Sequence, residues 1–284
     1  MINTKILFLD LDGTLLNDQK EVTPGNRQAI EQAIAARHKV VIASGRPLKS
    51  TLAQAERLGL DGEGCYVIAY NGALVYDCAR KTESFRKTLE MEDLFTAVDE
   101  ANRRGVYIQT YEHEDVIVER PNDGENVRRY CNQVQLKHRV VEDLRKGLSE
   151  PPVKTLMIDF EDRAPLEAMQ QWIRTNMQGR VDCFFSNAYY LEVVPAGMNK
   201  GSAIRDLCRQ LGIPMENSVA AGDQGNDISM LQAAAVGVAM QNAAAEVKAV
   251  ADYITERDNN HDGIAEIIHK FIFDTYRACD EKDV

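Results

Sequence analysis

Lys5-Ile6-Leu7-Phe8-Leu9-Asp10-Leu11-Asp12-Gly13-Thr14 sets two carboxylates at the end of an apolar run. Ile6 to Leu9 read as a parallel strand buried on both faces, since such strands lack the alternation of half-exposed ones. Gly13 breaks the strand and lets the backbone turn. Asp10 and Asp12 then stand at a strand's carboxyl edge, where open α/β sheets bind their ligands. Carboxylates crowded there repel each other unless a cation lies between them. Mg²⁺, a hard cation that takes oxygen ligands, suits the pair. An Asp-Gly turn beside a solvated acid is the plain alternative, so the motif needs support from the rest of the chain.

That support comes from an alternation of strands and helices. Thr23-Pro24 marks a helix start, an N-cap followed by proline at the first helical position. Val40–Ala43 is a second buried strand, ended by Ser44-Gly45-Arg46-Pro47, and Leu48, Leu52, Ala55 and Leu58 mark the next helix. Tyr66–Ala69 is a third strand, followed by Asn71-Gly72 and the extended piece Ala73–Tyr76. Such alternation implies a parallel sheet covered on both faces.

The character changes near Lys81–Lys87. A helix around Leu94, Val98 and Ala101, extended pieces at Val106–Tyr111 and Val116–Glu119, the strand Thr155–Phe160, the helix Pro165–Thr175 and the strand Asp182–Phe185 predict an α+β insert. We place it at residues 84–189, with 1–83 and 190–284 forming the main α/β unit. In the second part of that unit, Tyr190–Val194 is read as a strand, Lys200–Leu211 as a helix ended by Gly212, and Val219–Ala221 as a buried strand ended by Gly222-Asp223. Gly263–Phe273 reads as an amphipathic helix, and the polar tail Cys279–Val284 is expected to fray.

Composition narrows the function. The 284 residues suffice for about two domains. A net charge of −11 disfavours a nucleic-acid partner, which needs a basic footprint. The six cysteines form no CxxC pair, so reduced thiols in a cytoplasmic protein are expected. No apolar run approaches the roughly 18 residues of a spanning helix, and Asp10 and Asp12 interrupt the only stretch that could serve as a signal peptide. A membrane partner is therefore not expected.

In a parallel sheet the strand ends face one edge, so Asp10/Asp12, Ser44-Gly45, the segment leading to Lys200, and Asp223 with Asn226 and Asp227 can converge. Ser44-Gly45 alone is an ordinary turn, and Gly222–Asp227 alone a loop with a helix cap. Lys200 falls in the first turn of a helix, a poor place for a cation because the helix N-terminus carries partial positive charge. A lysine there makes sense if an anion sits between it and the backbone N–H groups.

In this order and spacing the segments resemble the haloacid dehalogenase (HAD) superfamily. Asp10-Leu11-Asp12-Gly13-Thr14 is similar to its first motif, Ala43-Ser44-Gly45-Arg46 to its second, Asn199-Lys200-Gly201 to its third and Gly222–Asp227 to its fourth. Tyr70–Ala73, Gly237–Ala243 and Asp262–Ala265 further resemble the Cof-type branch and its bacterial sugar-phosphate phosphatases. The resemblance implies a Rossmann-like core with a C2-type cap inserted between motifs two and three. It implies a phosphatase acting on a small phosphorylated metabolite, with Asp10 as nucleophile and Asp12 as general acid and base. It further implies Mg²⁺ held by Asp10, the Asp12 carbonyl and Asp223, and phosphoryl oxygens held by the Leu11 and Gly45 N–H groups, Ser44, Lys200 and Asn226. Asp227 would orient Lys200 or lie outside the metal's ligands. Arg46 and Asn71 would contact the sugar part, or Arg46 would pair with a surface carboxylate. Two other readings use similar residues: a phosphomutase, and a phospho-acceptor signalling module on a single smaller domain. Dehydrogenases and kinases of the common nucleotide motifs are disfavoured, since neither G-x-G-x-x-G nor G-x-x-x-x-G-K-[ST] occurs.

Overall fold

A computed structural model describes residues 4–113, 115–120, 122 and 124–273. The polar tail falls outside the described residues. The first part of the chain supplies β1 (Ile6–Leu9), β2 (Lys39–Ala43), β3 (Cys65–Ala69), β4 (Leu74–Asp77) and β5 (Thr82–Arg86). The middle supplies β6 (Ile108–Glu112), β7 (Asp115–Glu119), β8 (His138–Val141), β9 (Thr155–Ile158), β10 (Val181–Asn187) and β11 (Tyr190–Pro195). The last part supplies β12 (Ser218–Gly222), β13 (Val236–Ala239) and β14 (Tyr253–Ile254).

These strands make two sheets. The larger runs β14-β13-β12-β1-β2-β3-β4-β5, parallel from β14 to β3 and antiparallel at β4 and β5. β1 is fully buried at its centre, as its uninterrupted apolar run predicts. The smaller sheet runs β10-β11-β9-β6-β7-β8 and is antiparallel except between β7 and β8. One of its faces buries Leu94, Val98, Leu166, Met169 and Ile173 from two covering helices. Tyr107, Tyr111 and Tyr130 instead join the apolar cluster that is continuous with the larger sheet. No helix of the described residues is long and apolar enough to cross a membrane.

Register positions the site. Leu9 pairs with Ile42 on one side and Ala221 on the other. Asp10, Ser44 and Asp223 therefore emerge at one edge of three adjacent parallel strands, as the strand-end argument requires.

The structure corrects the sequence reading in three places. Tyr190–Pro195 does not resume the main unit: it pairs antiparallel with β10 and β9 in the smaller sheet. An apolar run looks the same in either sheet; the two-residue connection Ala188-Tyr189 commits it to its neighbour β10. At the other end Thr82–Arg86 still belongs to the larger sheet, so the chain crosses between sheets after Arg86 and returns after Pro195, not at 84 and 189. Thr23-Pro24 does open the first helix as read, with the Thr23 hydroxyl donating to Asp262 Oδ1, which itself accepts the Asn26 N–H. The closing helix is α-helical only over Gly263–Ile267, and Ile268–Ile272 is a π-helical turn.

Candidate active site

Lys200 stands at the centre of the strand edge. Asn199 caps its helix by accepting the Ser202 N–H, while Ser202 Oγ accepts the Asn199 N–H. The helix packs so closely that a Cβ on Gly201 would lie 2.1 Å from the Ser229 carbonyl oxygen, so only glycine fits beside Lys200. Lys200 is fully buried, and its Nζ donates at 2.5 Å to Asp10 Oδ1 and at 2.5 Å to Asp227 Oδ1. Asp227 Oδ2 accepts the Asp223 and Gln224 N–H groups at 2.9 and 3.0 Å. Asp223 accepts Thr14 Oγ1 and Gln224 Nε2. Asp10, Asp223, Asp227 and Lys200, drawn from both ends of the sequence, thus form one buried cluster.

Three carboxylates share one ammonium there. Burial, then the Asp227 and Asp223 charges, push the Asp10 carboxyl well up, against Lys200. Burial and Asp227 push Asp223 up to about 6. Burial opposes charge on Lys200, but Asp10 and Asp227 outweigh it and hold the amine protonated. The surplus of buried negative charge and the all-oxygen donor set fit a hard divalent cation. Ligand oxygens of Asp10, Asp223 and Asp227 lie within 4.8 Å of one another. The Asp227 oxygens are held by the Lys200 ammonium and two backbone N–H groups, those of Asp223 only by the Thr14 and Gln224 side chains, which makes Asp10 and Asp223 the better donors. Gly13 keeps the space open: its φ is +82°, and a Cβ there would lie 2.5 Å from Asp223 Oδ2. Gly13→Ala should cost at least about 1–2 kcal/mol from the left-handed backbone alone. A thermal melt reads that loss, and an unshifted melt would show that the loop yields freely.

Asp12 behaves differently. Burial raises its carboxyl, but Arg46 and Lys20 together outweigh burial and lower it. Arg46 Nε and Nη2 each donate to Asp12 at 2.7 Å, and Lys20 Nζ at 2.8 Å. Arg46 thus pairs with a carboxylate that is itself part of the first motif and partly exposed. Asn71 is buried in left-handed backbone (φ +55°), and its Oδ1 accepts Asn226 Nδ2 at 3.0 Å. Its own Nδ2 is buried without a hydrogen-bond partner among the described residues. Leu11 is fully buried and Ser44 nearly so.

Asp10, Asp12, Ser44, Gly45, Arg46 and Asn226 open on a cavity of about 600 Å³ whose opposite wall comes from the smaller sheet. That wall is aromatic. Rings of Tyr130, Tyr190, Phe160 and Tyr189 line it in a row with centroids 5.7 to 5.8 Å apart, and behind them Tyr111 continues the row to Tyr70 of the larger sheet, mostly edge to face. The Arg129 guanidinium lies 3.9 Å from the Phe160 centroid. Lys154 and Glu192 complete the lining. None of these cap-side residues is singled out by the sequence reading, because they come from separate segments and share no spacing.

A family model for haloacid dehalogenase-like hydrolases matches residues 7–268. The chain is 31% identical over 271 residues to the 5-amino-6-(5-phospho-D-ribitylamino)uracil phosphatase YcsE of Bacillus subtilis, covering 95% of this chain and 97% of that one. A solved haloacid dehalogenase-like hydrolase from Bacteroides thetaiotaomicron superposes with a TM-score of 0.83 at 31% identity, over 94% of this chain and 99% of that one. A solved sugar phosphatase of HAD subclass IIB gives 0.79 at 26% identity, over 94% and 99%.

Proposed function

The chain belongs to the haloacid dehalogenase-like hydrolases, and on that premise we propose that it is a Mg²⁺-dependent phosphatase of small phosphate monoesters, sugar phosphates foremost. The observation that carries this reading is the buried cluster in which Lys200 joins Asp10 to Asp227 beside Asp223. The two sheets take the roles of catalytic core and cap, with the cap covering the cavity and excluding water during transfer.

Asp10 is the nucleophile. A carboxylate oxygen forms a bond to phosphorus as the ester P–O bond breaks, giving an aspartyl-phosphate and an alkoxide. Asp12 protonates that alkoxide, then takes a proton from the water whose attack on phosphorus breaks the aspartyl bond and frees inorganic phosphate. As it stands, Asp12 is held ionised by Arg46 and Lys20. An entering phosphate dianion draws on the same two cations, and any loosening of their hold raises the Asp12 carboxyl toward the acid form the first step needs. Lys200, Ser44, Asn226 and the Leu11 and Gly45 N–H groups hold the phosphoryl oxygens, where fixed donors stabilise the charge that develops in transfer. Asp227 orients Lys200. Asp10, Asp223 and the Asp12 carbonyl would hold Mg²⁺, which would supply the positive charge that offsets their repulsion of the phosphoryl group.

Substrate class rests on the wall and on the relatives. An aromatic face accepts the C–H face of a ring, and the unpartnered Asn71 amide offers a donor to a hydroxyl or phosphoryl oxygen. One structural relative is a sugar phosphatase and one curated relative acts on a phosphoribityl compound. The cytoplasm is the compartment proposed, supported by buried, free cysteines at 65, 78, 131, 183 and 208.

Phosphate release from sugar phosphates, nucleotides and phosphorylated cofactors, measured with Mg²⁺ and after EDTA, tests the proposal. Mg²⁺-dependent release that is fastest with sugar phosphates is expected. No release from any ester, or release indifferent to EDTA, would overturn it, and an isomerised sugar phosphate in place of free phosphate would make the protein a mutase.

A further inference from the structure

Lys154 is a buried cation in the same cavity that the steps above leave unused. It immediately precedes β9 in the smaller sheet and is 1% exposed. Its Nζ donates to Glu192 Oε2 on β11 at 2.7 Å. It also crosses to the larger sheet and donates to the Gly45 carbonyl oxygen at 2.9 Å. Glu192 is as deeply buried, and its Oε1 accepts Ser186 Oγ at 2.9 Å. The ammonium lies 5.2 Å from the Tyr111 centroid and 5.8 Å from that of Tyr70, so apolar rings surround the ion pair.

Stability does not explain this arrangement. A buried ion pair is seldom better than an apolar pair of the same volume, because desolvation cancels the attraction. What the lysine does that leucine or methionine could not is bond the backbone of the loop after β2. Glycine has the widest backbone freedom of any residue, so the Gly45 carbonyl is the part of that loop most in need of an external tether. On the other side, the Asn71 side chain sits 3.0 Å from where a Gly45 Cβ would be, so any side chain there would press on Asn71. The loop thus keeps a flexible residue at its centre, and Lys154 supplies the tether.

We infer that Lys154 is a positioning residue, supplied by the smaller sheet, that sets the Ser44–Gly45 backbone for phosphate, with Glu192 and Ser186 holding the lysine in place. This rests on the reading that Ser44 and Gly45 bind the phosphoryl group. Because the bond spans the two sheets, the loop is set only while the smaller sheet is docked. Covering the site and shaping it become one event.

The test is the double variant Lys154→Met/Glu192→Met in the full chain, which leaves no unpaired charge behind. Its melt should stay within a few degrees of the wild type. The KM for a sugar phosphate and the inhibition constant of inorganic phosphate should rise together by about 10- to 100-fold, the effect of one lost hydrogen bond to a charged group. A merely structural pair would shift the melt and leave phosphate affinity alone. Wild-type KM and wild-type phosphate inhibition in the folded double variant would overturn the inference. Should that variant not fold, Glu192→Gln keeps an oxygen for Lys154 and should show a smaller rise in the same two constants; no rise there overturns it equally. A wild-type protein that releases no phosphate and is not inhibited by it would refute the reading of the site itself, which is a different result from an active protein indifferent to Lys154.

Discussion

Asp10→Asn is expected to lower kcat by at least about a thousandfold, the scale on which loss of a nucleophile registers, while raising the melting temperature. The two effects come from one substitution and have separate causes. An amide oxygen does not displace an alkoxide from phosphorus, so no aspartyl-phosphate forms. The fold, however, loses a burden. In the protein without metal, Asp10 is buried among Asp223 and Asp227 with one lysine between them, and its carboxyl is pushed well up by burial and by those charges. A group whose pKa is raised on folding is destabilising once the pH exceeds its unfolded value, and at neutral pH that condition holds. The amide keeps the shape and still accepts a hydrogen bond from Lys200. A phosphate-release assay and a thermal melt on the same sample check both parts. Substantial turnover would remove Asp10 from the nucleophile's role, and a lowered melt would mean that the carboxylate contributes more to Lys200 than it loses by burial.

The parts of this site visible in the amino-acid sequence are those governed by strand ends. Asp10, Ser44 and Asp223 each follow a short apolar run, and a parallel sheet carries the ends of such runs to one edge. Lys200 is conspicuous for another reason, an amine in a helix's first turn, where the helix itself repels it. The structure resolves that conflict with two carboxylates at 2.5 Å. Arg46 could not be read in the same way. Its partner Asp12 is 34 positions away in a different loop, and no local pattern records such a pairing. The smaller sheet was hardest to read. Val127, Tyr130, Cys131 and Val134 have helical spacing on the helix Glu125–Val134, but the polar residues between them mask it. Lys154 gave no signal at all, since a lysine at the start of a strand ordinarily ends in solvent. Tyr190–Val194 reads as a strand of the larger sheet because an apolar run says nothing about which sheet a strand joins.

Lys200→Ala should be the most damaging change to the fold and the second most damaging to turnover. Removing one partner from a buried ion pair costs about 3–5 kcal/mol, because the remaining charge has neither water nor a counter-ion. Here two carboxylates, Asp10 and Asp227, lose the same ammonium. The rate should fall as well, by about 10²–10³ in kcat/KM, the scale of one donor to a transition-state oxyanion. Measuring activity alone would confuse the two losses, since an unfolded fraction also lowers the rate. Lys200→Met combined with Asp227→Asn separates them. It removes the amine and one of the two stranded charges, and the amide can still accept a backbone N–H in place of Asp227 Oδ2. The double variant should recover much of the melting temperature lost by Lys200→Ala and none of the rate. Recovery of both would mean that Lys200 serves only to neutralise Asp227. Near-normal kcat/KM in either variant would leave the phosphoryl oxygens without need of this amine, and the transfer step would have to draw its cation from another residue of the same cavity, such as Arg46.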